Sequence, residues 1–201
     1  MADHLWQAEP GQTELDEREK LDLIPSLITR SQLNEYELLN TASARDWAMS
    51  SHVQKRDDLL TDFFARELHR RMFSSIWKWA GKYRTTEQNL GWEPHRITEG
   101  MRVAFDNAQH WLKNDTYSLT ESAIRLHYHL VAIHPWSNGN GRHARLIADV
   151  LMVSRGNRAL PWGGTRSDLV NAGTTRQHYI EALRQADGGV FEPLLDFCSG
   201  R

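Results

Sequence analysis

The stretch "HPWSNGNGRHAR", His134 to Arg145, sets two histidines, glycines, asparagines and two arginines side by side. Glycines in such a run permit positive φ and let successive backbone N–H groups point into one concavity, which suits an anion. The run follows the apolar "LVAI" and precedes a helical pattern opened by Arg142, so it must reverse the chain at a helix N-terminus. There the macrodipole adds positive potential. Arg142 and Arg145 stand three apart, on one face of the first turn. Two guanidiniums beside a glycine nest fit a polyphosphate better than a single carboxylate. His134, at the lip of that nest, is placed to take a proton from an attacking hydroxyl near neutral pH.

Helices must hold this loop. Thr29 and Gln32 have the capping-box spacing at the start of "TRSQLNEYELLNTASARDWAM", where Leu33, Leu39 and Trp47 fall near one face. In "RDDLLTDFFARELHRRMFSSIWKWAGK" an aromatic and aliphatic stripe recurs at helical spacing and predicts a helix up to Gly81. "YRTTEQNLGWEPHRI" is punctuated by Thr, Asn, Gly and Pro and predicts a short hairpin. Helical patterns resume in "MRVAFDNAQHWLKN", "TESAIRLHYHLVAI", "RHARLIADVLMVSRG", "TRQHYIEALRQAD" and "VFEPLLDFC". The expectation is an all-α fold with one small β-hairpin, in which residues 1–28 form an N-terminal arm and 29–201 one domain around the loop 134–145.

Composition narrows the class. A chain of 201 residues with 40% hydrophobic and 25% charged residues can bury one full core. A net charge of −2 argues against gripping a nucleic-acid backbone. Cys198 is the one cysteine, the polar start lacks the apolar core of a signal peptide, and no apolar run spans a membrane, which predicts a cytoplasmic protein. His127, His129 and His134 are spaced so that a helix scatters them over different faces, so they do not read as a zinc centre. No GxxxxGK[ST] is present.

The loop resembles the signature of the Fic family, H-P-F-x-[DE]-G-N-G-R-x-x-R, matching at His134, Pro135, Gly139, Asn140, Gly141, Arg142 and Arg145. "WAGKYRTTEQNLG" and "RQHYIEALRQADGGVFEPLLDF" are similar to the family's flap and C-terminal helices, and "LIPSLITRSQLNEYE" resembles the subgroup called mobile mystery protein B, found with mobile elements of bacteria. The resemblance implies an adenylyltransferase that moves AMP from ATP to a Ser, Thr or Tyr hydroxyl of a target protein, with Mg²⁺. On it, His134 is the general base, and Asn140 with the N–H groups around Gly139 and Gly141 holds the α- and β-phosphates. Arg142 and Arg145 bind the outer phosphates. Thr85, Thr86, Gln88, Asn89 and Leu90 belong to a flap that pairs with the target's main chain.

Two positions depart from the pattern. Trp136 replaces Phe, which a buried site tolerates when the indole N–H finds a partner. Asn138 replaces the metal-binding carboxylate, leaving an uncharged amide oxygen as a weak Mg²⁺ ligand. Relatives carry an inhibitory motif, [ST]-x-x-x-E-[GN], and Ser31 with Glu35 has its spacing, with Tyr36 in the final place. Glu35 is therefore the inhibitory candidate, expected to reach Arg145. Two other functions stay open: another nucleotide or phosphate transfer on the same scaffold, and a catalytically weak module that binds nucleotide and an antitoxin or regulatory partner.

Overall fold

In the computed structural model, which describes residues 21–26, 29–164 and 173–200, the chain enters its first helix through the expected capping box. The Thr29 hydroxyl accepts from the Gln32 N–H and the Gln32 side chain accepts from the Thr29 N–H, each at 3.2 Å. Two otherwise orphaned donors are thereby satisfied at the start of α1 (Arg30–Ala48). Its inward face carries Leu33, Ala44 and Ala48, and among them a carboxylate, Glu37.

The one-turn α2 (Ser51–Gln54) follows, then α3 (Asp62–Phe73), capped by the Thr61 hydroxyl. After a 3₁₀ turn at Pro94–Arg96 come α4 (Ile97–Lys113), α5 (Leu119–Ile133), α6 (Asn140–Ser154), α7 (Thr174–Asp187) and α8 (Glu192–Ser199). Helix α6 is central. Its residues from Leu146 to Met152 are all buried, with α5 against it, α4 against α5, α1 against α3 and α8 against α7. An all-round buried helix is what a bundle core requires of its middle member. Among the described residues, no helix is long and apolar enough to cross a membrane.

Two expectations change. The predicted helix of 56–82 is helical only over α3, and residues 74–81 are turns. Ile76 and Trp77 are buried there, and main-chain bonds tie the turns to residues 22–24: Ile24 N–H to Ile76 O at 2.8 Å and Lys78 N–H to Asp22 O at 3.0 Å. A continuing helix would have used those groups internally. Apart from residues 21–26, the expected N-terminal arm lies almost wholly outside the described residues.

The predicted hairpin is also absent: residues 82–93 contain no strand. Their main-chain groups are used on another element. Arg84 N–H donates to Pro135 O at 3.0 Å and Trp92 N–H to Ile133 O at 3.1 Å, so the segment docks on the end of α5 and not on itself.

Candidate functional site

Helix α5 ends at Ile133, and His134 takes the left-handed cap position with φ 54° and ψ 59°. A residue with a Cβ adopts that conformation at a cost of roughly 1 kcal/mol, recovered here by fixed main-chain bonds. The His134 N–H donates to Leu130 O at 3.2 Å, and its carbonyl accepts from the Arg84 guanidinium at 2.7 Å. Burial, with the Arg84 charge beside it, pushes the His134 imidazole down to about 4, against a smaller upward pull from the Val131 backbone. The ring is therefore neutral at pH 7, the form that accepts a proton.

Beneath the loop lies a buried aromatic layer. Trp136 is fully buried and stacks on His69, with ring centroids 4.0 Å apart. Its indole N–H finds the partner a larger aromatic needs, His143 Nδ1 at 3.2 Å, and His143 Nε2 is 2.9 Å from Ala65 O. The indole can only donate, so the His143 proton is assigned to Nε2. His69 follows the same logic: Gly81 N–H donates to Nδ1 at 3.0 Å, leaving Nε2–H for Asn138 O at 3.2 Å. Two neutral histidines thus brace the loop from α3 and α6.

His69, His127 and His143 are buried, and burial pushes all three imidazoles down, His143 to about 4. Unfolded, each binds a proton near pH 6.5. Between those values the unfolded chain holds more protons than the folded one, so stability falls as pH drops below 6.5. His143 alone should cost about 2 kcal/mol at pH 5. Urea denaturation should show a clearly lower midpoint at pH 5 than at pH 7, whereas coincident midpoints would refute the neutral buried state.

The phosphate candidates divide into two groups. Asn140 is turned inward, accepting from Trp136 N–H at 2.9 Å and donating to Trp136 O at 2.7 Å, so its amide braces the loop and does not face outward. Gly139 has φ 81°, and a Cβ there would lie 2.4 Å from the Phe73 ring, so only glycine fits. Its N–H already donates to Asn138 Oδ1 at 2.7 Å. The N–H groups of Asn140, Gly141 and Arg142 open α6, which starts two residues before the Arg142 that the sequence pattern suggested. Gly141 is not needed for packing: a Cβ would meet only Arg145 Nη1, at 3.4 Å. Its bare face leaves room at the helix start, with Arg145 reaching back over it. Arg145 also faces Tyr179, whose ring centroid is 5.7 Å away and whose hydroxyl lies 2.9 Å from His127 Nε2.

Arg142 is already engaged, and by a residue sequence reasoning missed. Its Nη2 donates to Glu37 Oε2 at 2.6 Å, while Glu37 Oε1 accepts from Asn138 Nδ2 at 2.8 Å and from Trp77 Nε1 at 3.0 Å. The glutamate that reaches the motif arginines is therefore Glu37, two residues past the candidate Glu35, which is exposed. It meets the first arginine and not Arg145. The signal was legible: Leu33, Glu37, Ala44 and Ala48 share the inward face at helical spacing, and an acidic residue in an apolar row calls for a buried partner.

The donor set does not suit Mg²⁺. The metal demands outward-facing oxygen ligands, but Asn138 Oδ1 is spent on Gly139 N–H and both Glu37 oxygens are occupied by N–H donors.

Of the flap candidates, Thr85, Thr86, Asn89 and Leu90 are exposed, and Gln88, half-buried, donates to Ser137 O at 3.0 Å. Arg84, also unpredicted, is buried beneath them, and burial lowers its pKa.

Comparison with known proteins agrees with this geometry. Residues 60–152 match the model of the Fic/DOC family. Over 172 residues the chain is 28% identical to a protein adenylyltransferase Fic of Nematostella vectensis, and over 170 residues 29% identical to protein adenylyltransferase fic-1 of Caenorhabditis elegans. These alignments cover 84% and 80% of this chain but only 38% and 31% of the relatives, so the chain spans about a third of their length. A solved structure of C. elegans Fic-1 superposes with TM-score 0.65 at 25% identity, over 90% of this chain and 52% of that one. The bundle, the loop between α5 and α6 and these matches coincide: residues 60–152, which carry the loop, are similar to the Fic/DOC family.

Proposed function

We propose that this chain is a protein adenylyltransferase, transferring AMP from ATP to a Ser, Thr or Tyr hydroxyl of a target protein. The observation that carries the reading is the junction of α5 and α6, where a neutral His134 adjoins a helix N-terminus left bare at Gly141 and flanked by Arg142 and Arg145. The names of the relatives, adenylyltransferases, support it. In the step, His134 takes the proton of the acceptor hydroxyl as its oxygen bonds to the α-phosphorus of ATP. The bond from that phosphorus to the β-phosphate bridge breaks, and pyrophosphate leaves with its charge. The first-turn N–H groups and the two guanidiniums neutralise the phosphates, which is most of what such a transfer asks of a protein. No step runs through Mg²⁺, because Asn138, the residue at the motif's metal position, is buried and uncharged with its amide oxygen bonded to Gly139 N–H. The flap residues at 85–90, exposed except for Gln88, receive the target's main chain.

The resting chain is inhibited, because Glu37 occupies the guanidinium that the outer phosphates need. Regulation then falls to whatever moves α1, including a regulatory or antitoxin partner. The test of the reading is transfer of label to protein from ATP labelled at the α-phosphate. Label from the γ-phosphate instead would indicate a kinase, and nucleotide binding without any transfer a binding module, the reading that the occupied Arg142 and Asn138 favour second.

Asn138→Asp separates two roles for that position. It sets a carboxylate where an amide now donates to Glu37 at 2.8 Å, and two buried like charges repel. The variant should be less stable by a few kcal/mol and should label faster, because Glu37 is driven off Arg142. The gain should vanish when Glu37→Gly is already present. A gain that persists in that background would assign position 138 a role independent of Glu37.

A further inference from the structure

Arg84 is 4% exposed, yet every hydrogen bond given by its guanidinium ends on a main-chain oxygen. Nε donates to His134 O at 2.7 Å, Nη1 to Thr86 O at 2.9 Å, and Nη2 to Trp92 O. Buried guanidiniums ordinarily sit against carboxylates. Here one rigid fork instead joins three stretches of main chain: the entry to the flap, its exit, and the residue that carries the base. The Arg84 N–H adds a fourth tie, to Pro135 O at 3.0 Å. At Gly91, which has φ 96°, an added Cβ would lie 2.3 Å from the His134 Cβ and 2.8 Å from Arg84 Nη2, so the flap is pressed directly against the histidine.

We propose that Arg84 is a positioning residue for the transfer: its guanidinium locks the flap to the main chain of His134, so that the loop receiving the acceptor and the base deprotonating it keep one geometry. The proposal rests on the assignment of His134 as the base. The nucleotide side of the site is braced separately, by His69 and Asn140, neither of which bonds to Arg84. Loss of the lock should therefore lower the rate of transfer and leave ATP binding alone, since a misplacement near 1 Å can cost about 10²-fold in rate.

The experiment uses the full chain carrying Glu37→Gly, with self-labelling from α-labelled ATP as readout, and adds Arg84→Met, Arg84→Lys or Gly91→Ala. Arg84→Met should lower the maximal labelling rate at least tenfold, with half-saturating ATP changed less than twofold. Arg84→Lys keeps the charge but lacks the fork, so it should recover only part of the loss. Gly91→Ala, which disturbs the same lock from the other side, should mimic Arg84→Met. Hydrogen exchange at the Trp92 amide, bonded to Ile133 O, should quicken in all three. Labelling at the parent rate in Arg84→Met, or a rate and ATP affinity that fall together, would overturn the proposal. If the parent does not label at all, the adenylyltransferase reading fails, and unchanged Trp92 protection in Arg84→Met then overturns the lock by itself.

Discussion

His134→Ala is expected to lower AMP transfer by about 10²- to 10⁴-fold while ATP binding persists, the range for removing a positioned general base. The split follows from the geometry. The imidazole stands at the end of α5, whereas the N–H groups and guanidiniums proposed to hold phosphate belong to α6, and the loop leading into them is braced by Asn140 and His69. The pH profile supplies an independent check. With the imidazole held down to about 4, its basic form persists well below the ordinary histidine range, so the rate should show no acid limb near 6.5 and should stay flat from pH 7 down to the pH at which the buried histidines begin to unfold the chain. Label transfer that is unchanged in His134→Ala would remove His134 from the chemistry.

Glu37→Gly is expected to raise labelling roughly 10- to 10³-fold. Three N–H donors converge on this carboxylate, which is 2% exposed, and charged hydrogen bonds in such surroundings are worth about 1.5–3 kcal/mol each in the arrangement they stabilise. A resting state favoured by about 2–4 kcal/mol leaves Arg142 free in a small fraction of molecules, and deleting the glutamate frees it in all. The deletion also strands the Trp77 and Asn138 donors, so stability should fall as activity rises. Glu35→Gly is the matched control: it carries the same glycine cost to the helix, about 1 kcal/mol, but should leave labelling unchanged, because Glu35 is exposed on the outer face of α1. Equal labelling by the parent chain and Glu37→Gly, both folded and both binding ATP, would rule out the inhibitory role.

Local rules made much of the fold readable. The Thr29 capping box, the stripe of α3 and the reversal between α5 and α6 are each decided within a few residues, by side chains that satisfy their own neighbours. The failures have a common cause. The hairpin expected at 83–97 depended on whether its main chain would pair with itself, and Arg84 with the end of α5 decided otherwise from 50 residues away. The choice between Glu35 and Glu37 turned on which face of α1 meets α6, a tertiary fact that the motif spacing pointed to wrongly and the apolar row pointed to correctly. Asn140 was placed by its position in a motif, but its own amide, satisfied at both ends by Trp136, faces the loop interior.

The bond between Trp136 and His143 constrains how this sequence can drift. Phenylalanine at 136 would leave His143 Nδ1 buried with no donor, and an apolar residue at 143 would leave the indole N–H buried with no acceptor. Either single step strands a polar group, at about 1–3 kcal/mol, whereas replacing both with apolar side chains of similar shape can be nearly neutral. The two positions are coupled, so exchange of one favours exchange of the other, and phenylalanine at position 136 costs less alongside a non-histidine at 143.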